Sequence, residues 1–439
     1  MDLAKRYIEK FGATIERAES VKALGKITDI VGSMIASDGP NAAIGEICSI
    51  VDADGDEVSK AEVVGYREGR TLSIAFGDST RISPKCMIVG GGRRFSIPVG
   101  DALLGRTLDG LGNPIDGKGE IKPDSYVDVH AEPPNPMTRR RITEPLQTGV
   151  RAVDGLLTCG RGQRVGIFSG SGVGKSTMLG MIARNTSADV SVIALVGERG
   201  REVREFIEKD LGEDGLKRSV LVVATSDKPA LMRVKSAFIA TAIAEYFRER
   251  GKDVALMMDS VTRFAMAQRE IGLSTGEPPT TKGYTPSVFA LLPKLLERAG
   301  ASERGAITGF YTVLVDADDM TEPIADAARS ILDGHFVLSR KLANKGQFPA
   351  VDPLQSVSRL MSDVVDSETR RRASKFVDYL AAYEDAEDLI NIGAYVKGSN
   401  ARIDEAVAKI EQLRAFLRQD VREPAPFDDT RTRLFSIVD

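Results

Sequence analysis

The segment from Val165 to Gly180, which reads VGIFSGSGVGKSTMLG, constrains the fold of this chain more than any other segment. Its apolar start, Val165–Phe168, predicts a buried parallel strand, and the apolar residues between 178 and 182 have the spacing of a helix. A glycine-rich loop that ends in Lys-Ser joins the two. Strand, glycine loop and helix in this order form a phosphate-binding loop, because backbone N–H groups and the helix N-terminus attract a polyphosphate. The segment therefore predicts a site for a nucleoside triphosphate.

Within this loop, Lys175 can reach the β- and γ-phosphates, and the hydroxyl of Ser176 can ligate Mg²⁺. The pattern G-x-x-x-x-G-K-[ST] has glycine at its first position, where this chain has Ser169. Serine is small, and this position closes the loop rather than contacting phosphate, so we expect binding despite the mismatch. A glycine-rich surface turn is the alternative, which the strand–helix context disfavours. The residues predicted to contact the nucleotide are Gly170, Ser171, Gly172, Val173, Gly174, Lys175, Ser176 and Thr177.

Composition excludes several classes of protein. A chain of 439 residues is too long for one core, so two or three domains are expected. The net charge of −4 gives no global reason to bind nucleic acid, and two histidines make a histidine-based metal site improbable. Three widely spaced cysteines, with no secretory leader, predict a reduced cytoplasmic protein. No apolar run approaches the ~18–20 residues of a membrane span.

Hydrophobic patterning divides the chain into four segments. Residues 1–24 predict an amphipathic helix, which either packs on its own domain or docks a partner helix. Residues 25–92 contain short alternating runs bounded by turn residues, which predict a β-barrel. In residues 93–366 strands and helices alternate after the phosphate loop, which predicts an α/β domain with a parallel sheet. Residues 367–439 predict a C-terminal helical domain.

Two charged segments suggest binding sites but have simpler interpretations. The run Asp52–Asp56 resembles a calcium loop, yet Glu57 and Val63 stand where such a loop has Gly and Glu, so we predict a turn. The cluster Arg139–Arg141 could contact nucleic acid, but a solvated or interface-facing charge run is the favoured interpretation.

Two carboxylates follow predicted strands near the phosphate loop. Asp259 ends the strand DVALMMD, where a carboxylate can hold Mg²⁺ through water; a turn-capping Asp is the alternative. Glu198 leaves the strand SVIALVG at the same edge of the sheet. From that position it can orient and deprotonate an attacking water.

Four motifs accompany this order of domains: GSGVGKST (170–177), VGERGREV (196–203), MMDSVTRFA (257–265) and PAVDPLQSVSR (349–359). With these motifs, the chain resembles the catalytic subunits of rotary ATP synthases. Within that superfamily it is most similar to the type III secretion ATPases, and to the flagellar export ATPase in particular. The motif PAVDPLQSVSR fits the superfamily signature P-[SAP]-[LIV]-[DNH]-x3-S-x-S at every specified position. The resemblance implies a RecA-like sheet between an N-terminal β-barrel and a C-terminal helical domain.

The same resemblance implies a homo-hexamer with ATP and Mg²⁺ bound between subunits. At the matching positions it implies that Lys175 and Ser176 hold the phosphates and Mg²⁺, that Asp259 completes the metal shell, and that Glu198 activates water. The further residues that it implies are Arg199 and Arg263 on the γ-phosphate side, Phe348 and Tyr395 against adenine, and Arg359 as an arginine finger that reaches a neighbour's γ-phosphate.

The function implied is ATP hydrolysis that energises type III protein export, most simply flagellar export, with the injectisome as the alternative. The implied partners are a stator-type regulator on the N-terminal helix, a coiled-coil stalk in the ring channel, export substrates with their chaperones, and an export gate at the membrane. The resemblance implies that the segment Gly272–Gly283 faces the channel, where Glu277 and Lys282 could meet the stalk; a surface connection with no partner is the alternative. The implied location is cytoplasmic, peripherally associated with the inner face of the cytoplasmic membrane.

Two other classes share parts of this pattern. A hexameric RNA translocase has the same ATPase core, but its barrel should carry stacking aromatics among basic residues, and residues 25–92 hold only Tyr66 and Phe76. We therefore expect no nucleic-acid partner. A non-catalytic ring subunit should lack the water-activating carboxylate, whereas this chain has Glu198.

Overall fold

The computed structural model describes residues 23–77, 79–92, 94–315 and 319–439. It contains two compact units, one ending at Phe95 and the other running from Ser96 to Asp439. The amphipathic helix predicted for residues 1–24 lies almost wholly outside the described residues.

The first unit is a closed barrel with the strand order β1-β2-β5-β4-β3-β6, which confirms the predicted β-barrel. Alternate residues point inward, so Ile35, Ile50 and Ile88 are fully buried. The run Asp52–Asp56 is the predicted turn, in which the carboxylate of Asp52 accepts from the backbone N–H of Asp54 and of Asp56. The strands are β1 (Leu24–Val31), β2 (Met34–Asp38), β3 (Ile47–Val51), β4 (Glu57–Arg67), β5 (Arg70–Ala75) and β6 (Met87–Val89).

The second unit is built on a mainly parallel sheet with the order β19-β18-β12-β17-β15-β13-β14-β8, and β16 pairs with β17. Its inner strands are continuous apolar runs because helices cover both faces. Its strands are β8 (Arg106–Asp109), β12 (Arg164–Ser169), β13 (Val190–Val196), β14 (Ser219–Ala224), β15 (Asp253–Asp259), β16 (Gly300–Ala301), β17 (Ala306–Leu314), β18 (Gly334–Leu338) and β19 (Val357–Ser358). Two small pairs join β7 (Ser96–Val99) to β9 (Ser125–Asp128) and β10 (Pro145–Leu146) to β11 (Cys159–Gly160).

The helices of this unit alternate with the strands and then continue to the C-terminus. Those of the sheet region are α1 (Arg151–Leu156), α2 (Lys175–Asn185), α3 (Gly200–Glu205), α4 (Gly212–Lys217), α5 (Ala230–Glu249), α6 (Val261–Ser274), α7 (Pro286–Leu296), α8 (Pro323–Ile331) and α9 (Arg340–Asn344). The last four are α10 (Met361–Val364), α11 (Ser367–Asn391), α12 (Ala401–Leu417) and α13 (Phe427–Val438). A π-helical turn, Phe206–Leu211, lies between α3 and α4. None of the helices described is both long and apolar enough to cross a membrane.

The C-terminal helices share one hydrophobic core with the sheet region. The rings of Phe376 on α11 and Phe416 on α12 lie 5.1 Å apart, and both are buried. A Cβ on Gly155 of α1 would stand 2.8 Å from Cζ of Phe416, so glycine permits this close approach. The core cluster continues from these rings to Met178 and Leu179 of α2. The C-terminal helices are therefore packed against α1, the helix that precedes the phosphate loop, and share a continuous core with α2.

Candidate active site

The phosphate loop connects the end of β12 to α2, as the sequence predicts. Gly172 and Gly174 have φ angles of 81° and 93°, in the left-handed region that favours glycine. Gly174 stands at the N-cap of α2 without a side-chain cap, so the first N–H groups of the helix face the loop. Ser169, the departure from the motif, is buried at the strand end with 1% exposure. The loop thus has the backbone geometry that an anion site requires.

Lys175, Glu198 and Asp259 meet at the carboxyl edge of the sheet. Lys175 Nζ lies 2.5 Å from Asp259 Oδ1 and 3.6 Å from Glu198 Oε1. Strand order explains the meeting, since β12 and β15 both flank β17, and β13 pairs with β15. Both carboxylates are largely buried, with Asp259 2% and Glu198 8% exposed. The structure therefore brings together the residues predicted for phosphate, metal and water.

Thr312 holds the Asp259 carboxylate in place, and sequence reasoning missed it. Its hydroxyl is 2.8 Å from Asp259 Oδ1, to which it donates, and Thr312 is fully buried on β17. Nothing in the run AITGFYTVLV distinguishes this threonine from any other polar residue of a buried strand. Only the pairing of β17 between β12 and β15 gives it this contact.

Burial and neighbouring charges set the protonation of the cluster formed by Lys175, Glu198 and Asp259. Burial and the Asp259 carboxylate raise the pKa of Glu198 to about 7, and the Lys175 ammonium opposes this shift. Burial alone would lower the pKa of Lys175, but the carboxylates of Asp259 and Glu198 outweigh it, so the pKa of Lys175 is raised. Lys175 is consequently a cation, and Glu198 is suited to accept a proton near neutral pH.

The two arginines predicted for the γ-phosphate side lie in different environments. Arg263 is beside Glu198, whose pKa its charge lowers, and among the described residues its buried Nε has no hydrogen-bond partner. Arg199 has a side chain that is 75% exposed, and its Nη1 donates to Glu202 Oε1 at 3.0 Å. The cluster therefore includes Arg263, whereas Arg199 faces solvent.

The two predicted adenine contacts also differ. Phe348 is 47% exposed, and its ring stands against the phosphate loop, 3.7 Å from where a Cβ of Gly174 would be. An exposed aromatic ring at this position can stack on a base. Tyr395 lies between α11 and α12, where its hydroxyl contacts the Asp404 carboxylate at 3.0 Å and donates to the Asn400 carbonyl at 3.1 Å. Tyr395 thus contacts its own connection and the first turn of α12.

Arg359 follows β19 at the edge of the sheet and is exposed. Its backbone N–H donates to the Asp333 carbonyl at 3.1 Å. Its Nη2 lies 3.4 Å from the Arg329 carbonyl, a long contact for a hydrogen bond. The guanidinium stands apart from the chain's own cluster, on a face that another molecule can approach.

The donor set fits Mg²⁺ bound together with a nucleotide. Among the described residues no group of three or more His, Cys, Asp or Glu side chains is arranged to hold a metal ion. Mg²⁺ in nucleotide sites needs only one or two protein oxygens, because phosphates and waters supply the rest. Ser176 in the first turn of α2 and the buried carboxylate of Asp259 are oxygens of this kind.

Comparison with known protein families gives three matches that together span most of the chain. Residues 149–358 match the nucleotide-binding domain of the ATP synthase alpha/beta family, and residues 27–91 match the β-barrel domain of that family. Residues 365–436 match the T3SS EscN ATPase C-terminal domain.

Individual relatives are similar over nearly the full length. The chain is 57% identical over 425 residues to the flagellum-specific ATP synthase of Bacillus subtilis, covering 97% of each chain. It is 51% identical over 430 residues to the type 3 secretion system ATPase of Xanthomonas euvesicatoria, again covering 97% of each. Among solved structures, the assembled ATPase EscN of enteropathogenic E. coli superposes with a TM-score of 0.90 at 46% identity, over 94% of this chain and 100% of that one. EscN has also been solved in complex with its central stalk EscO, with a TM-score of 0.88 and the same coverage.

Proposed function

The chain belongs to the ATP synthase alpha/beta family, in the group of flagellum-specific and type III secretion ATPases, and from this premise we propose that it hydrolyses ATP to drive type III protein export. The observation that carries the proposal is the cluster of Lys175, Glu198 and Asp259 at the phosphate loop. Full-length similarity to named ATPases supports it.

The chemistry proposed is the attack of water on the γ-phosphorus of ATP. Glu198 accepts a proton from the water, a new P–O bond forms, the bond to the β–γ bridging oxygen breaks, and ADP and phosphate leave. Lys175 and Arg263 stabilise the charge on the γ-phosphoryl oxygens. Ser176 and Asp259 would hold Mg²⁺, which neutralises charge on the phosphates.

We further propose that the active unit is a homo-hexameric ring and that Arg359 completes the site of a neighbouring subunit. The exposed guanidinium of Arg359 at the sheet edge supports this role, as does the existence of assembled EscN. Phe348 would contact adenine; Tyr395 would contact it only if the connection between α11 and α12 moved. Arg199 would reach the γ-phosphate side only by leaving Glu202.

The proposed partners follow from the family. A central stalk in the ring channel is supported by the EscN–EscO complex. A stator-type regulator on residues 1–24, export substrates with chaperones, and an export gate at the membrane complete the set, with the chain in the cytoplasm at the inner face of the membrane. We favour flagellar export, because the Bacillus relative is 57% identical, and the Xanthomonas relative at 51% makes the injectisome the second candidate.

Two experiments test the proposal. The purified chain should release phosphate from ATP only with Mg²⁺, and Glu198→Gln should abolish this release; equal release by that variant would contradict the assignment. Deletion of the gene, followed by complementation with the wild type and with Glu198→Gln, separates the two branches. Loss of flagellar filaments supports flagellar export, and loss of effector secretion with filaments intact supports the injectisome.

A further inference from the structure

We propose that Gln163 is a positioning residue for the arginine finger, acting through hydrogen bonds to the residues that hold the backbone of Arg359. The inference rests on the proposed role of Arg359 in a neighbour's site. Gln163 immediately precedes β12, the strand that leads into this chain's own phosphate loop, and it is completely buried. Neither the phosphate loop nor the cluster around Lys175 accounts for a buried amide at this position.

The side chain of Gln163 contacts two groups that flank the backbone of Arg359. Its Nε2 donates to the Asp333 carbonyl at 3.1 Å and to Ser358 Oγ at 3.2 Å. The same Asp333 carbonyl accepts from the Arg359 N–H at 3.1 Å, and Ser358 directly precedes Arg359. Both Nε2 protons of this buried amide are therefore donated to groups adjacent to Arg359. The Oε1 atom is fixed as well, because it accepts from the Gly160 N–H at 2.8 Å.

A second set of contacts fixes Asp333. Arg164 holds its carboxylate in a two-pronged pair, with Nε–Oδ2 and Nη2–Oδ1 distances of 3.0 Å each. The Arg164 N–H also donates to Asp333 Oδ2 at 3.1 Å, and the Asp333 N–H donates to the Arg164 carbonyl at 2.8 Å. Charge-assisted forked pairs of this kind restrict orientation strongly. The Asp333 carbonyl, which accepts the hydrogen bond from the Arg359 N–H, is thus held rigidly at the start of β12.

Close packing explains why β19 lies where it does. A Cβ on Gly334 would stand 2.6 Å from the Val357 carbonyl oxygen, closer than real Cβ contacts, so only glycine lets β19 pair with β18 at this distance. Ser358 adds a third tether, since its hydroxyl donates to the Thr158 carbonyl at 2.9 Å. The serine that ends the superfamily signature therefore has a physical role, which is to tie the residue before the finger to buried backbone.

These tethers matter because the guanidinium of Arg359 is weakly held. Among the described residues its one hydrogen bond, to the Arg329 carbonyl at 3.4 Å, is long. The position of the finger therefore depends on its backbone, and a displacement of about 1 Å in a catalytic group can cost on the order of 10²-fold in rate.

The first test compares variants of the tethers. Gln163→Met removes both donated hydrogen bonds and the one accepted from Gly160, at similar volume. Ser358→Ala is a smaller change that leaves the Gly160 contact in place and should fold if Gln163→Met does not. The control is Ser330→Ala, which removes an exposed hydroxyl whose hydrogen bond in the described part of the chain is local, to the Ala327 carbonyl. We expect kcat to fall about 10- to 100-fold in both tether variants, with the Kd for a fluorescent ATP analogue within about twofold of wild type. Unchanged kcat in a folded tether variant would overturn the proposal.

The second test separates positioning of the finger from damage to the chain's own site. Gln163→Met is co-assembled with Glu198→Gln, which lacks the base but keeps an intact finger. In a randomly mixed ring, about a quarter of the sites then combine an intact base with an intact finger, so activity should exceed that of either variant alone. Arg359→Ala mixed with Glu198→Gln is the parallel arrangement.

The outcomes distinguish positioning by Gln163 from the action of Arg359 between subunits. Recovery in both mixtures supports positioning by Gln163. Recovery with Arg359→Ala but not with Gln163→Met would refute positioning while leaving the finger intact. No recovery in either mixture would reject the action of Arg359 between subunits, and the inference with it.

Discussion

Lys175 Nζ and Asp259 Oδ1 are 2.5 Å apart, although 84 residues separate them in the chain. Lys175 opens the helix after the phosphate loop, and Asp259 ends a strand that pairs on the far side of β17. The pair is largely buried, with side-chain exposures of 12% and 3%. A buried ion pair is costly unless both members are satisfied, and here Glu198 and Thr312 supply the remaining contacts. The pair brings the proposed phosphate-binding cation next to the proposed metal-binding carboxylate.

The first prediction concerns the division of labour between Lys175 and Glu198. Glu198→Gln should bind ATP within about threefold of the wild-type Kd but lose turnover, because a base acts only in the transition state. Lys175→Ala should weaken nucleotide binding itself, since it removes the cation at the loop. Fluorescent-nucleotide titration and phosphate release measure the two effects. Equal loss of affinity in both variants would contradict the assignment.

The second prediction is that the plot of kcat/KM against pH has an acid limb near neutrality, where activity is lost as the pH falls. The pKa of Glu198 is raised to about 7, so its base form is lost as the pH falls through 7. The plot of kcat/KM should therefore rise with pH up to about 7 and then level off. Arg263→Gln should move this limb to higher pH, because the Arg263 charge lowers the pKa of Glu198. A limb between pH 4 and 5, where an ordinary Glu titrates, would be incompatible with the buried site.

The third prediction is that ATP hydrolysis depends on protein concentration. A site that needs Arg359 from a neighbour is incomplete in a monomer, and association supplies the missing group by mass action. Specific activity should fall on dilution in parallel with the oligomer fraction measured by analytical ultracentrifugation. Constant specific activity in a dilution series that is monomeric throughout would rule out a shared site.

The fourth prediction concerns stability away from the site. Arg298 is 1% exposed, and its Nε donates to Glu245 Oε1 at 2.9 Å and its Nη1 to the Val129 carbonyl at 2.7 Å. Glu245→Ala leaves this guanidinium buried without its carboxylate, which should lower the free energy of unfolding by about 3–5 kcal/mol.

An exposed ion pair provides the control for this experiment. Asp378→Ala breaks the pair between Asp378 and Arg402, in which both side chains are 51% exposed. This change should lower the free energy of unfolding by less than about 1 kcal/mol. Urea denaturation followed by circular dichroism measures both variants. A similar loss in the two would mean that burial does not control the cost.

The fifth prediction concerns the segment proposed to face the ring channel. Lys282 is exposed, and its Nζ is 3.7 Å from Asp319 Oδ2, a weak pair that leaves the cation accessible to a partner. Lys282→Ala should reduce stimulation of the ATPase by a purified stalk protein and leave nucleotide affinity unchanged. Lys217→Ala, which removes an exposed cation paired with Asp214 on another surface, is the matched control. Full stimulation of Lys282→Ala would exclude this contact.

Glu277, the other residue expected to meet the stalk, also has a structural role. Its Oε2 accepts from the Ser287 N–H at 3.0 Å, in the first turn of α7. Glu277→Ala should therefore destabilise the start of α7 in addition to any effect on the stalk, by about 0.5–2 kcal/mol, as for the loss of an N-terminal cap. Hydrogen exchange of the amides at the start of α7 would detect it, and unchanged protection would contradict this role.

Sequence alone identified the elements whose structure depends on neighbouring residues in the chain. A phosphate loop, a strand that ends in Asp259 and each single amphipathic helix are contained in about 25 neighbouring residues or fewer, where side-chain spacing reports backbone geometry directly. The barrel, the parallel sheet and the helical C-terminus were predictable for the same reason. The roles of Arg359 and Phe348 came from a resemblance, since nothing in their immediate neighbours requires them.

Tertiary structure decided which distant residues meet. Thr312 reaches Asp259, and Gln163 reaches Ser358 across 195 residues, because strand order places β17 between β12 and β15 and puts β18 beside β12. Several strand orders can bury the same apolar runs, so periodicity specifies burial without specifying neighbours. The solvent-facing position of Arg199 likewise depends on where α3 begins, which is a three-dimensional fact. The chain's local patterns therefore determined its elements and its phosphate loop, whereas the packing of the sheet determined the contacts that orient the proposed catalytic groups.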